Sequence, residues 1–309
     1  MILIPVLVDN LYYVGVINSI MINTLLAISL WFIMQTGQVS LGHAGFAAIG
    51  GYMSAALITH YGFGSWLGLA VAVAISGLIA LILGYITLRI TGVYFVITTL
   101  ALGEVTRIVF GMWNHPFGGL IGLMNLPYPD PVSLFGLHTL KFNTPGGLYY
   151  LTFVFLIICI VILHRLDKSP FGLVSRGISQ ADTLAENLGI NIMNYKVLSF
   201  VLGSMVAGLA GVLYSYNTKC MQPTAFTMAQ SSYCIVWVAV GGSLNIAGPI
   251  MGALVLGVLS EFLRPIKDYE LIIYASLLIV IMLFAKDGLL GIAQTLKQKV
   301  RIKLKLMLS

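Results

Sequence analysis

The chain has 309 residues, of which 59% are apolar and only 8% are charged. Its mean hydropathy of +0.99 and its apolar stretches of about twenty residues, the length that crosses a hydrocarbon core, argue against any soluble fold. Because lipid offers backbone groups no partner and the alternation of a β-barrel is absent, we expect an all-α polytopic membrane protein with one domain, residues 1–309. The net charge of +6 indicates contact with anionic membrane lipid rather than nucleic acid.

Hydropathy predicts about nine transmembrane helices, some of them discontinuous. The candidate spans are residues 11–34, 39–59, 66–86, 93–113, 148–164, 197–217, 228–240, 249–263 and 271–285. The polar insert 165–196 holds four Lys and Arg residues and the tail 286–309 holds six, whereas the loop 114–147 has only Lys141. The positive-inside bias therefore places the insert and the tail in the cytoplasm.

Two apolar segments are interrupted by glycine in the same way. The strings SLGHAG from Ser40 and SLNIAG from Ser243 share Ser-Leu-x-x-Ala-Gly. Such breaks in two halves of a chain are typical of helices that line a pathway, although they also occur where small residues pack closely. The candidates for the translocation path are Gln38, Ser40, His43, Gly241, Gly242, Ser243 and Asn245. For His43, a hydrogen bond that ties this segment to its neighbour is an alternative to a place at the mouth of the path.

Glu104 and Arg107 carry opposite charges within the span 93–113. Their i, i+3 spacing lets the two side chains meet on one helix face, which predicts a structural ion pair. The rival interpretation is an ion or proton relay, which would need further carboxylates or histidines at membrane depth. No second acidic residue lies within that span.

The insert 165–196 is the longest polar interruption of the chain. The string from Ser179 to Asp182 resembles a capping box, and residues 181–188 can form a short helix with Leu184, Ala185 and Leu188 on one side. Gly189 is a typical helix stop. The apolar side of this helix needs a lipid surface or a partner protein to bury against.

Catalytic and cofactor motifs are missing from the sequence. It holds no Ser-His-acid set, no HExxH string, no phosphate loop and no GxGxxG. Its three cysteines lack the paired spacing of metal or redox sites. We therefore expect a chain that is not an enzyme, binds neither metal nor nucleotide, and holds no cofactor.

Several long motifs in order carry a resemblance to a known family. They are GQVSLGHAGFAAIGGYMSA (37–55), TGVYFVITTLALGEVTRIV (91–109), SPFGLVSRGISQADTLAENLGINIMNYKVLSF (169–200), AGLAGVLYS (207–215) and GGSLNIAGPIMGA (241–253). These strings resemble the branched-chain amino acid permeases of bacterial ABC importers, specifically the LivM-type subunit, and the resemblance spans nearly the whole chain.

The resemblance implies a multi-pass protein of the bacterial inner membrane that works with three kinds of partner. These are a LivH-type permease, two cytoplasmic ATP-binding subunits that would hold ATP and Mg, and an extracytoplasmic amino-acid-binding protein. The loop that contacts the ATPases in the family falls on Ser179, Asp182, Leu184, Ala185, Glu186, Leu188 and Gly189. Two departures are the replacement of the family's Glu-Ala-Ala by Thr183-Leu184-Ala185 and a curtailed first helix at residues 1–8.

The resemblance favours import of leucine, isoleucine and valine driven by remote ATP hydrolysis. Similar permeases carry urea or other small amides, so these substrates stay open. An ion-coupled secondary transporter that acts alone is the alternative from another class, and a structural or receptor-like membrane protein is a third.

Overall fold

The computed structural model describes residues 10–134, 138–140 and 142–264, together with residues 269, 272–273, 276, 288–289 and 291. Residues 1–8, most of the predicted span 271–285 and most of the basic tail 286–309 lie outside this part. Our expectations for those segments therefore stay predictions.

Helices dominate the described part, as expected of an all-α membrane protein. The helices are α1 (Leu11–Met34), α2 (His43–Tyr61), α3 (Ser65–Thr87), α4 (Val93–Met112), α5 (Pro145–Lys168), α6 (Pro170–Gln180), α7 (Asp182–Asn187), α8 (Ile192–Thr218), α9 (Met228–Gly241) and α10 (Ala247–Leu263). Four short strands form two antiparallel pairs: β1 (Leu123–Met124) with β4 (Cys220–Met221), and β2 (Val132–Leu134) with β3 (His138–Leu140).

Five of these helices, α1, α3, α4, α5 and α8, are long and apolar enough to cross a membrane. They correspond to the predicted spans 11–34, 66–86, 93–113, 148–164 and 197–217. Helices α2, α9 and α10 occupy the predicted spans 39–59, 228–240 and 249–263, but α10 is shorter than a full crossing and α9 has only 14 residues. The total of about nine crossings stays a prediction.

Polar residues mark the starts of three of the long helices. The side chains of Asn10, Thr144 and Asn191 accept hydrogen bonds from backbone N–H groups in the first turns of α1, α5 and α8. These bonds satisfy donors that no residue within the helix can reach. The cap positions explain why the apolar segments begin where they do.

Helix α8 lies at the centre and packs on α1, α2 and α3. Its contact with α2 has almost no space for side chains: a methyl group on Gly211 would overlap the Ala47 carbonyl, and one on Gly50 would overlap the backbone of Gly208. Small residues at such positions let helix backbones approach closely, and close packing stabilises helix pairs in lipid. The repeated Gly203, Ala207 and Gly211 of α8 are therefore packing residues.

The elements sort into two ends of the bundle. At one end, Tyr12 at the start of α1 contacts Glu261 near the end of α10, and β1 from the loop 113–144 pairs with β4. We call this the loop end. At the other, the insert end, Phe32 near the end of α1 stacks on Phe171 of the insert. The insert and the loop 113–144 thus lie at opposite ends, as the charge pattern predicts.

Candidate functional site

The insert folds as two consecutive helices, α6 and α7. The sequence indicated α7 to within a residue at each end, but α6 was not expected. Pro170 at the first turn of α6 directly after Ser169 is the signal for it, because proline is favoured at that position. The predicted capping box does not form. Ser179 lies in the last turn of α6, where its hydroxyl donates to the Arg176 carbonyl, and α7 starts at Asp182 after Ala181, which provides no side-chain cap.

Gly189 ends α7 in the left-handed conformation, with φ of +80°. Its N–H donates to the Glu186 carbonyl, and the Ile190 N–H donates to the Ala185 carbonyl. These two bonds form a Schellman motif, which only glycine adopts at low cost at this position. The predicted helix stop is confirmed.

The apolar side of α7 is only partly buried within this chain. Ala185 is buried against the rest of the chain, whereas Leu184 is 65% exposed and Leu188 is 80% exposed. Leu173 on α6 is 70% exposed as well. On this side only Ala185 is buried against the bundle, so this six-residue helix leaves the rest of its apolar side uncovered. The two leucines therefore point away from this chain.

Two ion pairs fasten the insert to the ends of the spanning helices. Arg176 of α6 pairs with Asp167 in the last turn of α5 and also donates to the Asp167 carbonyl, at 3.1 Å. Asp182, the first residue of α7, accepts from the Lys196 Nζ of α8 at 2.6 Å. The Lys196 side chain is only 5% exposed, whereas that of Asp182 is 42% exposed. Each insert helix is thus tied to a different span.

An aromatic contact ties the insert to α1. The Phe171 ring stacks between Phe32 of α1 and Tyr195 of α8, with ring centroids 6.1 Å and 5.4 Å apart. The segment that follows α1 also touches the insert, because a Cβ on Gly37 would lie 3.2 Å from the Ser179 Cα. A displacement of the insert would therefore act on α1, α5 and α8 together.

The first group of path candidates is buried around the start of α2. Gln38, Ser40 and His43 are at most 5% exposed. The His43 Nε2 and the Ser29 Oγ of α1 are 2.6 Å apart, which is the hydrogen bond to a neighbouring helix that we gave as the alternative. Whether these residues take part in transport stays a prediction.

The second group of path candidates forms the link between α9 and α10. Ser243 and Asn245 are exposed, and the Ser243 carbonyl accepts from the Trp31 Nε1 at 2.8 Å and from the Gln35 Nε2 at 3.3 Å. A methyl group on Gly241 would overlap the Gly248 carbonyl, so this glycine serves close packing. Both motifs overlap the start of a helix. SLGHAG contains His43, where α2 begins, and SLNIAG contains Ala247, where α10 begins.

The starts of α2 and α9 meet inside the bundle. The Ala44 N–H in the first turn of α2 donates to the Ser231 Oγ in the first turn of α9, at 3.0 Å. Met228 begins α9, and its backbone N–H donates to the Glu104 Oε1 of α4 at 3.2 Å. Glu104 and Arg107 form the expected ion pair, with the Arg107 Nε 2.7 Å from the Glu104 Oε2. Sequence spacing did not indicate the contact between α4 and α9.

Two cavities lie near the loop end, and neither is lined by the path candidates. One, of about 270 Å³, lies between α1, α2, α8 and α9 and is bordered by Ser19, Asn23 and Gln230. The other, of about 470 Å³, shares Ser19 and Asn23 and extends to Glu261 and Arg264. Polar residues within otherwise apolar spans are the sequence signal that could have indicated them.

The described residues contain no group of three His, Cys, Asp or Glu side chains that could hold a metal ion. The three cysteines are free, and Cys159 and Cys234 are buried.

Comparison with known proteins finds a matching family model and several similar permeases. A family model described as the permease component of a branched-chain amino acid transport system matches residues 12–285. The chain is 28% identical over 275 residues to each of two proteins named high-affinity branched-chain amino acid transport system permease protein LivM, one from Salmonella typhimurium and one from Escherichia coli. The probable branched-chain amino acid transport permease protein LivH of Methanocaldococcus jannaschii is 24% identical over 290 residues.

The matches differ in how much of each relative they cover. The two LivM matches span 82% of this chain but only 64% of each LivM protein. The LivH match spans 89% of this chain and 90% of that protein. No solved structure matches the chain.

Proposed function

The chain belongs to the family of permease components of branched-chain amino acid transport systems, and we propose that it is one membrane subunit of an ATP-driven importer for leucine, isoleucine and valine. It forms the translocation path with a second, LivH-type permease subunit in the bacterial inner membrane. Two cytoplasmic ATP-binding subunits hydrolyse ATP with Mg, and an extracytoplasmic binding protein delivers the amino acid. The chain itself holds no cofactor and catalyses no reaction.

The exposed leucines of the insert carry this proposal. Leu173, Leu184 and Leu188 project from two helices that are otherwise fixed to the bundle by ion pairs and a ring stack. Apolar side chains held rigidly at the surface suit the docking of a protein, since little conformational entropy is lost when they are covered. We propose that they bind the ATP-binding subunits, and we call Leu173, Leu184 and Leu188 the docking leucines.

The contacts of the insert suggest how ATP hydrolysis moves the spans. When the two ATP-binding subunits close, they displace α6 and α7 as one unit. Three contacts transmit this displacement to α5, α8 and α1. They are the pair of Asp167 with Arg176, the pair of Asp182 with Lys196, and the Phe171 stack. The spans then tilt and open the path toward the binding protein. Such alternating access needs no chemistry in this chain.

The test replaces Leu184 and Leu188 together by aspartate in the complete transporter. We expect the ATP-binding subunits to be lost from the purified complex and leucine uptake to fall by about tenfold or more, because two charges would be buried without partners. The matched control is Leu120→Asp, since Leu120 is a leucine of similar exposure, 79%, in the loop at the opposite end. Full assembly and uptake in the double variant would refute the docking role.

Substrate choice is tested by uptake with the same complex. We expect leucine, isoleucine and valine to compete with one another, and urea to have no effect. Competition by urea alone would move the substrate to the small-amide class. Uptake by the isolated chain without ATP-binding subunits would instead support a secondary transporter.

A further inference from the structure

Helix α4 is the least buried of the five spanning helices in the described part. Within its most apolar window, 17% of residues are buried, against 67% for α8 and 78% for α1. Large apolar side chains are exposed along it, among them Val93, Ile97, Val105 and Met112. Lipid alone could cover these residues.

Glu104 and Arg107 argue against lipid as the only cover. Glu104 is eleven residues from the start of α4, which places it about 16 Å along the helix and near the middle of a hydrocarbon core about 30 Å thick. The side chains of Arg107 and Glu104 are 32% and 30% exposed. Ionised groups at such depth are expensive in lipid and almost always face protein or a water-filled cavity.

The unused donors of Arg107 strengthen this argument. Helical side chains lean toward the helix N-terminus, and the Arg107 guanidinium accordingly reaches back to Glu104, with the Nε 2.7 Å from the carboxylate. The other guanidinium N–H groups have no described partner, so they are available to a group outside this chain.

The groups around this pair suit a substrate that carries both charges. The two Glu104 oxygens accept from the Arg107 Nε and from the Met228 N–H at the start of α9, and each keeps a further lone pair. Arg107 offers its remaining N–H donors. The start of α2 is joined to the start of α9 through Ser231, so two helix starts, each with partial positive charge, lie nearby. An amino-acid zwitterion has an ammonium for the carboxylate and a carboxylate for the guanidinium.

Resting on the proposed permease role, we infer that the face of α4 with Glu104 and Arg107 lines a water-filled path shared with the second permease subunit. The second subunit covers the apolar part of this face and closes the path from lipid. The charged pair contacts the zwitterionic head of the amino acid during passage. The Glu104–Arg107 pair therefore holds the start of α9 in place and also forms part of the path.

The test measures water access to this face in the complete transporter. Ala101 and Ile108, both exposed, flank the pair on the same side of α4, and each is replaced by cysteine in a Cys220→Ser background. The control is Leu78→Cys near the middle of α3, where Leu78 is 56% exposed. We expect a cationic methanethiosulfonate to label Ala101→Cys and Ile108→Cys at least about tenfold faster than the control, since only thiols in water ionise and react readily. Leucine should slow that labelling.

Labelling of both cysteines at the slow rate of the control would overturn the inference, because the face would then be dry. Leucine uptake by the unlabelled parent reports separately on the proposed function. If the parent does not transport leucine, the permease proposal for that substrate fails, while the labelling rates still decide whether the face is wet.

Neutral variants test the role of the charges. We expect Glu104→Gln and Arg107→Gln each to lower leucine uptake by about tenfold at unchanged assembly. The matched controls are Glu261→Gln and Arg264→Gln, which neutralise the i, i+3 pair near the loop end. Uptake within about twofold of the parent for the α4 variants would refute contact with the substrate.

Discussion

Helices α8 and α4 are both long and apolar enough to cross the membrane, yet they are buried to very different extents. Helix α8 is 67% buried in its apolar window and meets α2 through glycines, whereas α4 is 17% buried and carries a half-buried ion pair. The difference teaches that α8 makes most of its contacts within this chain, whereas α4 leaves most of its surface to lipid or to a second protein. Hydropathy does not distinguish the two cases, since lipid and a partner protein both accept apolar side chains.

Substitution of Gly211 by leucine should have the largest effect, because it breaks the central contact of α8. Any side chain on Gly211 would overlap the Ala47 carbonyl of α2. Overpacking against backbone cannot be relieved by a rotamer change, so we expect a loss of about 3 kcal/mol or more and little folded chain in membranes. Fluorescence-detected size-exclusion chromatography in mild detergent measures the folded fraction.

Gly15→Leu is the matched control for this substitution. Gly15 also lies within a spanning helix, but nothing lies within 4 Å of a Cβ built on it. We expect its folded fraction to equal that of the parent. Similar folded fractions for Gly211→Leu and the parent would show that α8 is not a rigid centre.

The sequence predicted those features that depend on neighbouring residues. Hydropathy located the five helices that are long enough to cross a membrane, and Gly189 located the end of α7. The capping box at Ser179 was wrong because α6 extends to Gln180 and keeps Ser179 within it. No local signal pairs Asp182 with Lys196 or places Met228 on Glu104, since these contacts depend on how helices distant in sequence pack.

The Asp182–Lys196 ion pair between the insert and α8 joins a buried group to an exposed one, so the comparison of buried with exposed regions applies there as well. Asp182→Asn leaves the buried Lys196 ammonium without its carboxylate, whereas Lys196→Met leaves a carboxylate that is 42% exposed to water. A buried charge without a partner is the more expensive result. We expect Asp182→Asn to destabilise the chain by about 3 kcal/mol and Lys196→Met by about 1 kcal/mol.

Thermal unfolding of the purified complex measures both variants, and basal ATP hydrolysis in the same samples reports on coupling. The decisive result is which of the two variants has the lower unfolding temperature. If Lys196→Met is the less stable protein, Lys196 is needed for packing of its alkyl chain, and the pair does not hold α7 on α8 by charge.

Ser231→Ala should have the smallest effect, and it tests the junction next to α4 rather than the core. The Ser231 hydroxyl accepts from the buried Ala44 N–H at 3.0 Å, so alanine leaves that donor unpaired and should cost about 1 kcal/mol. The control is Ser232→Ala, because the exposed Ser232 hydroxyl bonds only to the Met228 carbonyl of its own helix among the described contacts. Both variants fold, and their difference appears as a lower unfolding temperature for Ser231→Ala. If the two unfolding temperatures coincide, water replaces the lost hydroxyl, and the junction of α2 with α9 is then hydrated like the face of α4 beside it.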